Sequence, residues 1–366
     1  MKLSRSLLGL TVGGLAVGVS SAALFPVAVM AAPKDAGGYV APLNAFGQPD
    51  LEGTWTNATL TTLMRPAEYG DRLSMTPQEV AKIEGADAKE VAAGNAPTDP
   101  KVKTTDLPYN CGRGFSGAGC GYNAAWIDPG TTVMRVHGQP VTGFITSTPD
   151  GRLPPYRTGF TPPARYTLAT MKHRADNPET MTQGEQCLMS FGFSAGPVML
   201  PLLYNNNYKI VQSRDVVGIW VEMVHDIRLI HIGAKHRTDG VRTWMGDSIG
   251  WYEGKTLVVE TTNFPKNQYF FGADENLKVT ERLTRDAPGH ILYEFTVDDP
   301  TVWTEAWSGA YEFSPSKGIV YEYACHEGNY ALADMLAGAR ADDAKEAQAA
   351  AATAAATPAT PVVKKN

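Results

Sequence analysis

The sequence predicts a mainly β protein built around an antiparallel β-barrel, and two observations favour this fold. From Tyr208 to Tyr330, apolar runs of strand length alternate with turn sequences rich in Asn, Asp, Gly and Pro. This spacing is typical of antiparallel barrels and sandwiches. The chain also contains 36 Gly and 25 Pro, which favours many turns over long helices. Helices do not alternate with these strands, so a doubly wound parallel fold is disfavoured.

Several of these strands carry charged residues or histidine among apolar residues that fall on both faces. The runs are Val216–Met223, Asp226–Ile232, Thr256–Phe264 and Ile319–Glu327. Buried ionisable groups are costly unless they are paired or functional. We therefore expect some of them to point into the barrel, where Glu260, Glu281 or Glu294 would pair with Arg across strands. Arg282 and Arg285 lie near these residues in sequence.

Residues 1–32 have the pattern of a secretory signal peptide: Lys2 and Arg5 precede an apolar stretch and a small-residue cleavage site. An uncleaved anchor is the alternative. No later stretch is apolar for long enough to span a membrane, so we expect a periplasmic or secreted protein without a membrane span after cleavage. With 38 Asp and Glu against 32 Lys and Arg, nucleic acid is disfavoured as a partner.

All four cysteines lie after this signal sequence, and an even number in an oxidising compartment predicts two disulfides. The pairing that we favour joins Cys111 to Cys120, which closes a Gly-rich loop, and Cys187 to Cys325. Metal ligation by the cysteines is disfavoured, because the sequence contains no Cys-x-x-Cys pair.

The predicted organisation has three parts after the signal peptide. Residues 33–110 form an N-terminal arm and a helix that packs on the barrel; Thr76 begins this helix, followed by Pro and, three residues after the cap, by Glu. Residues 111–340 form the barrel domain and end in a C-terminal helix. Residues 341–366 form a disordered Ala/Thr/Pro tail.

A short motif opens the first predicted strand. Gly53-Thr-Trp55 resembles the opening Gly-x-Trp signature of lipocalin-type barrels, in which the Trp closes one end. The resemblance implies a barrel that is lipocalin-like in outline.

The favoured acid–base group is His326 with Glu327, directly after Cys325. A disulfide at Cys325 would fix the backbone, and a fixed imidazole beside a carboxylate suits general acid–base catalysis. The alternative is a strand-to-helix junction in which His326 closes the strand and Asn329 or Glu327 caps the helix.

Three further histidines, His225, His231 and His236, lie close together in sequence. Acid–base work and ordinary polar roles are both open for them, whereas their spacing matches no compact metal-ligand motif. Phosphate loops, a dinucleotide fingerprint and haem or calcium motifs are also absent from the sequence, so we expect neither a cofactor nor a metal.

A second candidate region is Trp244-Met-Gly-Asp-Ser-Ile-Gly-Trp-Tyr252. Asp247 lies between two glycines and aromatic residues, a composition that suits a pocket for a flat apolar ligand lined by Trp244, Trp251 and Tyr252. A hairpin in which Asp247 makes only a local turn contact is the alternative.

The runs Gly246–Phe264, Thr280–Arg282, Val297–Pro300 and Ala324–Tyr330 are together similar to a large group of exported bacterial β-rich proteins, most of which carry no assigned function. The resemblance implies an exported β-rich protein and assigns no catalytic residue.

From these observations we expect a cofactor-independent periplasmic enzyme that performs acid–base chemistry of the lyase, hydratase or isomerase type on a small apolar or aromatic molecule. The candidate catalytic residues are His326, Glu327, His225, His231 and Asp247. The alternative is a non-catalytic periplasmic binding protein for a hydrophobic ligand.

Overall fold

The structure is a computed structural model that describes residues 39–95, 97, 101, 103, 128–161, 175–189, 196–203, 205–266 and 270–356. Its centre is a closed barrel of nine strands. In chain order these are β1 (Gly53–Thr56), β4 (Asn207–Gln212), β5 (Val216–Val221), β6 (Ile227–Ile232), β7 (Asp247–Glu253), β8 (Thr256–Thr262), β9 (Lys278–Ala287), β10 (His290–Asp298) and β11 (Trp307–Pro315). The prediction of a mainly β protein with a barrel is confirmed.

The prediction that the barrel is antiparallel throughout is wrong at one place. The strand order is β1-β11-β10-β9-β8-β7-β6-β5-β4, and β4 closes the barrel by pairing with β1. Strands β6 and β7 pair in parallel, whereas the other neighbours are antiparallel. Strand directions cannot alternate around a closed ring with an odd number of members, so nine strands require such a parallel pair. A parallel pair also needs a long connection, and residues 233–246 supply it.

Two elements lie outside the barrel, and the first of them contacts β11. Strands β2 (Arg135–Val136) and β3 (Gln139–Pro140) form a short hairpin. Helix α1 (Pro77–Gly94) begins with the predicted capping box, in which Thr76 accepts from the N–H of Glu79 and Glu79 accepts from the N–H of Thr76. Its Val80 packs with Met75 and Val133 in a small separate cluster.

Side chains that alternate along the strands fill the inside of the barrel. The largest are aromatic: Trp55, Tyr208, Tyr293, Phe295, Trp307, Tyr311 and Phe313 are all buried. Trp55, from the Gly-x-Trp motif, donates from Nε1 to the carbonyl of Leu51 at 3.0 Å, and the guanidinium of Arg285 lies 5.7 Å from its ring centroid. The barrel therefore has a packed centre.

A charged pair lies inside this packed centre. The side chains of Arg228 on β6 and Glu281 on β9 are 2% and 0% exposed, and the two guanidinium ends of Arg228 contact the two carboxylate oxygens of Glu281. Arg228 also donates to Ser248 at 3.2 Å and to Thr261 at 3.0 Å, whereas Tyr293 donates to Glu281 at 2.7 Å. The expected buried Glu–Arg network exists, but its Arg is Arg228, from a strand remote in sequence.

The segment that contains Met199 enters the same interior. The N–H of Met199 donates to the hydroxyl of Tyr293 at 3.3 Å, and its carbonyl accepts from the hydroxyl of Tyr311 and from Asn57 at 2.9 Å. Burial raises the pKa of Tyr293 and Tyr311 well above the usual value, so both hydroxyls keep their protons. These contacts satisfy a buried backbone that has no sheet partner of its own.

The C-terminal part differs from the prediction in two respects. The run Ile319–Glu327 forms no strand, because β11 already pairs with β1 and β10 and leaves no barrel edge for it. Helix α2 (Tyr330–Ala356) continues past Arg340 into the region predicted to be a disordered tail, consistent with the high helix propensity of its Ala-rich sequence. Among the described residues, neither helix is long and apolar enough to cross a membrane.

The disulfide between Cys187 and Cys325 is confirmed, with 5.7 Å between the two Cα atoms. It attaches the segment before α2 to the middle of the chain. The predicted signal peptide of residues 1–32, the pair Cys111–Cys120 and the tail after Ala356 lie outside the described residues.

We predict that removal of one member of the buried pair destabilises the barrel. Arg228→Met leaves the carboxylate of Glu281 in an apolar interior without its counter-charge, and the free energy of unfolding should fall by roughly 3–5 kcal/mol. Urea unfolding followed by Trp fluorescence measures the change. The control is the double variant Arg228→Met with Glu281→Leu, which removes both charges and should lose less than the single variant. An equal or greater loss in the double variant would contradict the interpretation.

Candidate functional site

A cavity of about 370 Å³ opens in the barrel wall at the parallel pair, and we call it the side pocket. Its apolar lining includes Met189, Leu229 and Trp244. Its polar lining includes His231, Arg237 and Asp247. A pocket of this size with mixed lining suits a small molecule that has both apolar and polar parts.

The side pocket exists because β6 and β7 pair over only part of their lengths. Their register begins at Ile230 opposite Ser248, so the first residues of β6 face the returning connection instead of a strand. Gly246 ends this connection with φ 71°, and a Cβ there would lie 2.7 Å from the carbonyl oxygen of Thr262. Glycine thus lets the chain approach β8 closely before it enters β7.

The inner end of the side pocket reaches the buried pair, since Arg228 and Ser248 both line it. Burial alone would lower the pKa of Arg228, but the charge and hydrogen bonds of Glu281 outweigh burial and raise it. The pocket therefore ends at a permanently charged guanidinium whose hydrogen bonds go to barrel side chains.

The outer wall of the pocket contains a second polar group. Asp247 Oδ2 lies 2.9 Å from His236 Nδ1 and accepts from the N–H of Arg237 at 2.8 Å. Partial burial favours the neutral acid, but these contacts outweigh it and hold the pKa of Asp247 below its usual value. Asp247 is therefore a carboxylate at neutral pH.

His236 connects this wall to β8. Its Nε2 lies 3.2 Å from Glu260 Oε1, and Glu260 Oε2 lies 2.5 Å from Lys278 Nζ. The hydrogen bond from Lys278 lowers the pKa of Glu260, as does that of His236. Because both ring nitrogens of His236 contact carboxylates, this imidazole positions Asp247 and is not directed at a ligand.

Three of the residues predicted for the site lie together. His231, Asp247 and Trp244 all line the side pocket. His231 is exposed on β6, and its pairing partner Ile249 lies two residues after Asp247 on β7. The imidazole and the carboxylate thus belong to adjacent strands at the same opening.

The other predicted residues lie elsewhere. His225 packs edge-on against Trp220, with 4.6 Å between the ring centroids. Trp251 is exposed and donates to Glu253, whereas the Tyr252 hydroxyl accepts from Gln212 at 3.1 Å. None of these three predicted residues lines the side pocket.

His326 and Glu327 are exposed in the turn before α2 and do not line the side pocket. The neighbouring Asn329 accepts from the N–H of Leu332 at 3.2 Å and donates to the carbonyl of Glu185 at 3.0 Å. This is the helix cap at Asn329 that the sequence left open as an alternative.

Sequence reasoning missed Arg228, Arg237 and the bridging position of His236. Arg228 lies between Ile227 and Leu229 on β6. Because apolar residues occur on both faces of this strand, the sequence does not indicate which face points into the barrel. One group of described side chains could hold a metal ion: His137, Asp286 and Glu312, on the outer face of β9 to β11.

No protein-family model matches the chain, and no curated protein matches it significantly.

We predict that Asp247→Asn lowers the free energy of unfolding at neutral pH by roughly 1–3 kcal/mol, because charge-assisted hydrogen bonds to a partly buried carboxylate are lost. A carboxylate with a lowered pKa stabilises the fold above the pKa of the unfolded chain and loses this effect as pH falls through the folded value. The difference between wild type and variant should therefore shrink as pH falls from about 5 toward 2.

Urea unfolding across this pH range measures the difference. Asp239→Asn is the control, since Asp239 is an exposed carboxylate of the same connection paired with Arg237, and exposed pairs contribute about 0–1 kcal/mol. A pH-independent difference for Asp247→Asn would contradict the role of its charge.

Proposed function

We propose that the side pocket is the active site of a cofactor-independent acid–base enzyme that acts on a small, largely apolar or aromatic molecule. The observation that carries the proposal is that His231, Asp247 and Trp244 line one cavity. The reaction class is that of a lyase, hydratase or isomerase.

The chemical roles follow from the lining. Trp244 and Leu229 offer apolar surfaces to the ligand, and aromatic side chains favour flat rings. Histidine exchanges protons near neutral pH, so His231 is the proton acceptor and donor. Asp247, held as an anion, stabilises positive charge that develops beside it during the transfer.

The location of the pocket modifies the lipocalin-like part of the proposal. The Gly-x-Trp motif, whose Trp55 is buried and donates to the carbonyl of Leu51, supports a lipocalin-like outline. Aromatic side chains and Met199 fill the lumen, so the proposed ligand binds in the wall. Action in the periplasm is supported by the Cys187–Cys325 disulfide, which suits an oxidising compartment.

The first experiment is a thermal-shift screen of the chain without residues 1–32 against aromatic and terpenoid compounds. Compounds that raise the melting temperature are then incubated with the protein in D₂O, and NMR follows deuterium incorporation or turnover. We expect His231→Ala to abolish exchange while the melting temperature without ligand stays close to that of wild type, because His231 is exposed. Asp239→Asn is the control.

His326→Ala discriminates between the two histidines proposed as catalysts. Exchange should persist in this variant, since His326 is exposed outside the side pocket. Loss of exchange in His326→Ala, with retention in His231→Ala, would overturn the side pocket as the active site.

A non-catalytic binding protein is the second candidate. It is favoured by the closure of the inner end of the pocket, where the hydrogen bonds of Arg228 all go to barrel side chains. This function predicts compounds that raise the melting temperature and show no deuterium exchange, with weakened binding in Trp244→Ala.

A further inference from the structure

A second polar cluster lies on the outer face of the barrel, away from the side pocket. Asp286 belongs to β9, Glu312 to β11, and His137 to the turn between β2 and β3. One potential ligand atom from each of these three residues lies within 4.8 Å of the other two. Four residues after Asp286, His290 begins β10, and its Nδ1 lies 3.6 Å from Glu312 Oε2.

The local geometry holds these side chains in a fixed arrangement. His137 Nδ1 lies 3.3 Å from Asp286 Oδ2, and the backbone N–H of His137 donates to Glu312 Oε1 at 2.5 Å. His137 has φ 49°, a left-handed conformation that fits the tight turn before Gly138. The carboxylate of Glu312 is therefore oriented through one oxygen, while its other oxygen faces His290.

The cluster also contains buried polar atoms without hydrogen-bond partners. Asp286 Oδ1 and His290 Nδ1 are both in this state, and Glu312 as a whole is only 8% exposed. Two carboxylates that are partly removed from water in this way would be stabilised by a cation between them.

We propose that His137, Asp286 and Glu312 bind a divalent transition-metal ion of the zinc type, with His290 as a fourth ligand. Imidazole nitrogen together with carboxylate oxygen is a ligand set that suits Zn²⁺ and its neighbours in the first transition series, whereas Ca²⁺ and Mg²⁺ prefer oxygen ligands alone. Two carboxylates balance the charge of a divalent ion. This proposal departs from the expectation of no metal, which was based on the spacing of His225, His231 and His236.

An adjoining cavity supplies the route by which the ion enters. It has a volume of about 240 Å³ and is lined by His290, Glu312 and Ser314, among others. A metal site needs such an entry path, and a cavity beside it leaves room for a water ligand. The ion would join the β2–β3 hairpin to β9 and β11, so metal binding should stabilise the packing of the hairpin on the barrel.

The test uses the untagged chain without residues 1–32, freed of metal by dialysis against a chelator. Isothermal titration with ZnCl₂ should show one ion bound per chain at this site, and the melting temperature should rise. Co²⁺ should give a visible absorption spectrum of nitrogen and oxygen coordination. Asp286→Asn and Glu312→Gln should lose this binding, and His290→Ala should weaken it.

The variants are chosen to separate binding from folding. Glu312→Gln keeps an oxygen that accepts from the His137 N–H. Circular dichroism checks that each variant is folded. If one variant is unfolded, Zn²⁺ binding is judged from the folded ones. His231→Ala and Asp247→Asn should bind Zn²⁺ as wild type does, which separates this site from the side pocket. Absence of Zn²⁺ and Co²⁺ binding to the wild type, or unchanged binding in the folded Asp286→Asn and Glu312→Gln variants, would overturn the proposal.

Discussion

The ion pair between Arg228 and Glu281 is the interaction on which the barrel depends most. It lies across the interior and, through Ser248, Thr261 and Tyr293, connects β6, β7, β8, β9 and β10. Its two charges are compensated only when both are present in this geometry, so slipped pairings of β6 or β9 would bury an isolated charge. The ion pair thereby favours one register between the parallel strands β6 and β7, which are paired at only three positions.

The filled interior determines where a ligand can bind. Tyr293 and Tyr311 hold the backbone of Met199 in the lumen, and Phe295 and Trp307 pack beside them. A barrel of this kind is a solid support, and function is expected on its wall and connections. Both the side pocket and the cluster around Glu312 lie there, one at an incomplete strand pairing and the other beneath a hairpin.

Local features of the fold could be predicted from the sequence, whereas long-range pairings could not. The capping box at Thr76 depends only on residues close in sequence. The Cys187–Cys325 disulfide could be predicted because four cysteines can pair in only three ways. Arg228 finds Glu281 across the barrel, which no local pattern reveals. Ile319 to Tyr323 have a strand-like composition, but the closed barrel offers them no partner. The candidate site was therefore predicted in part: His231, Asp247 and Trp244 meet, and His326 lies elsewhere.

The connection between Ile232 and Asp247 exists because an odd ring of strands needs one parallel step. Arg237, Val241 and Trp244 belong to this connection and line the side pocket, while the barrel beneath is held by its own core. A change of sequence in this connection would therefore alter one wall of the pocket and leave the barrel core intact, much as antibody loops diversify on a constant framework.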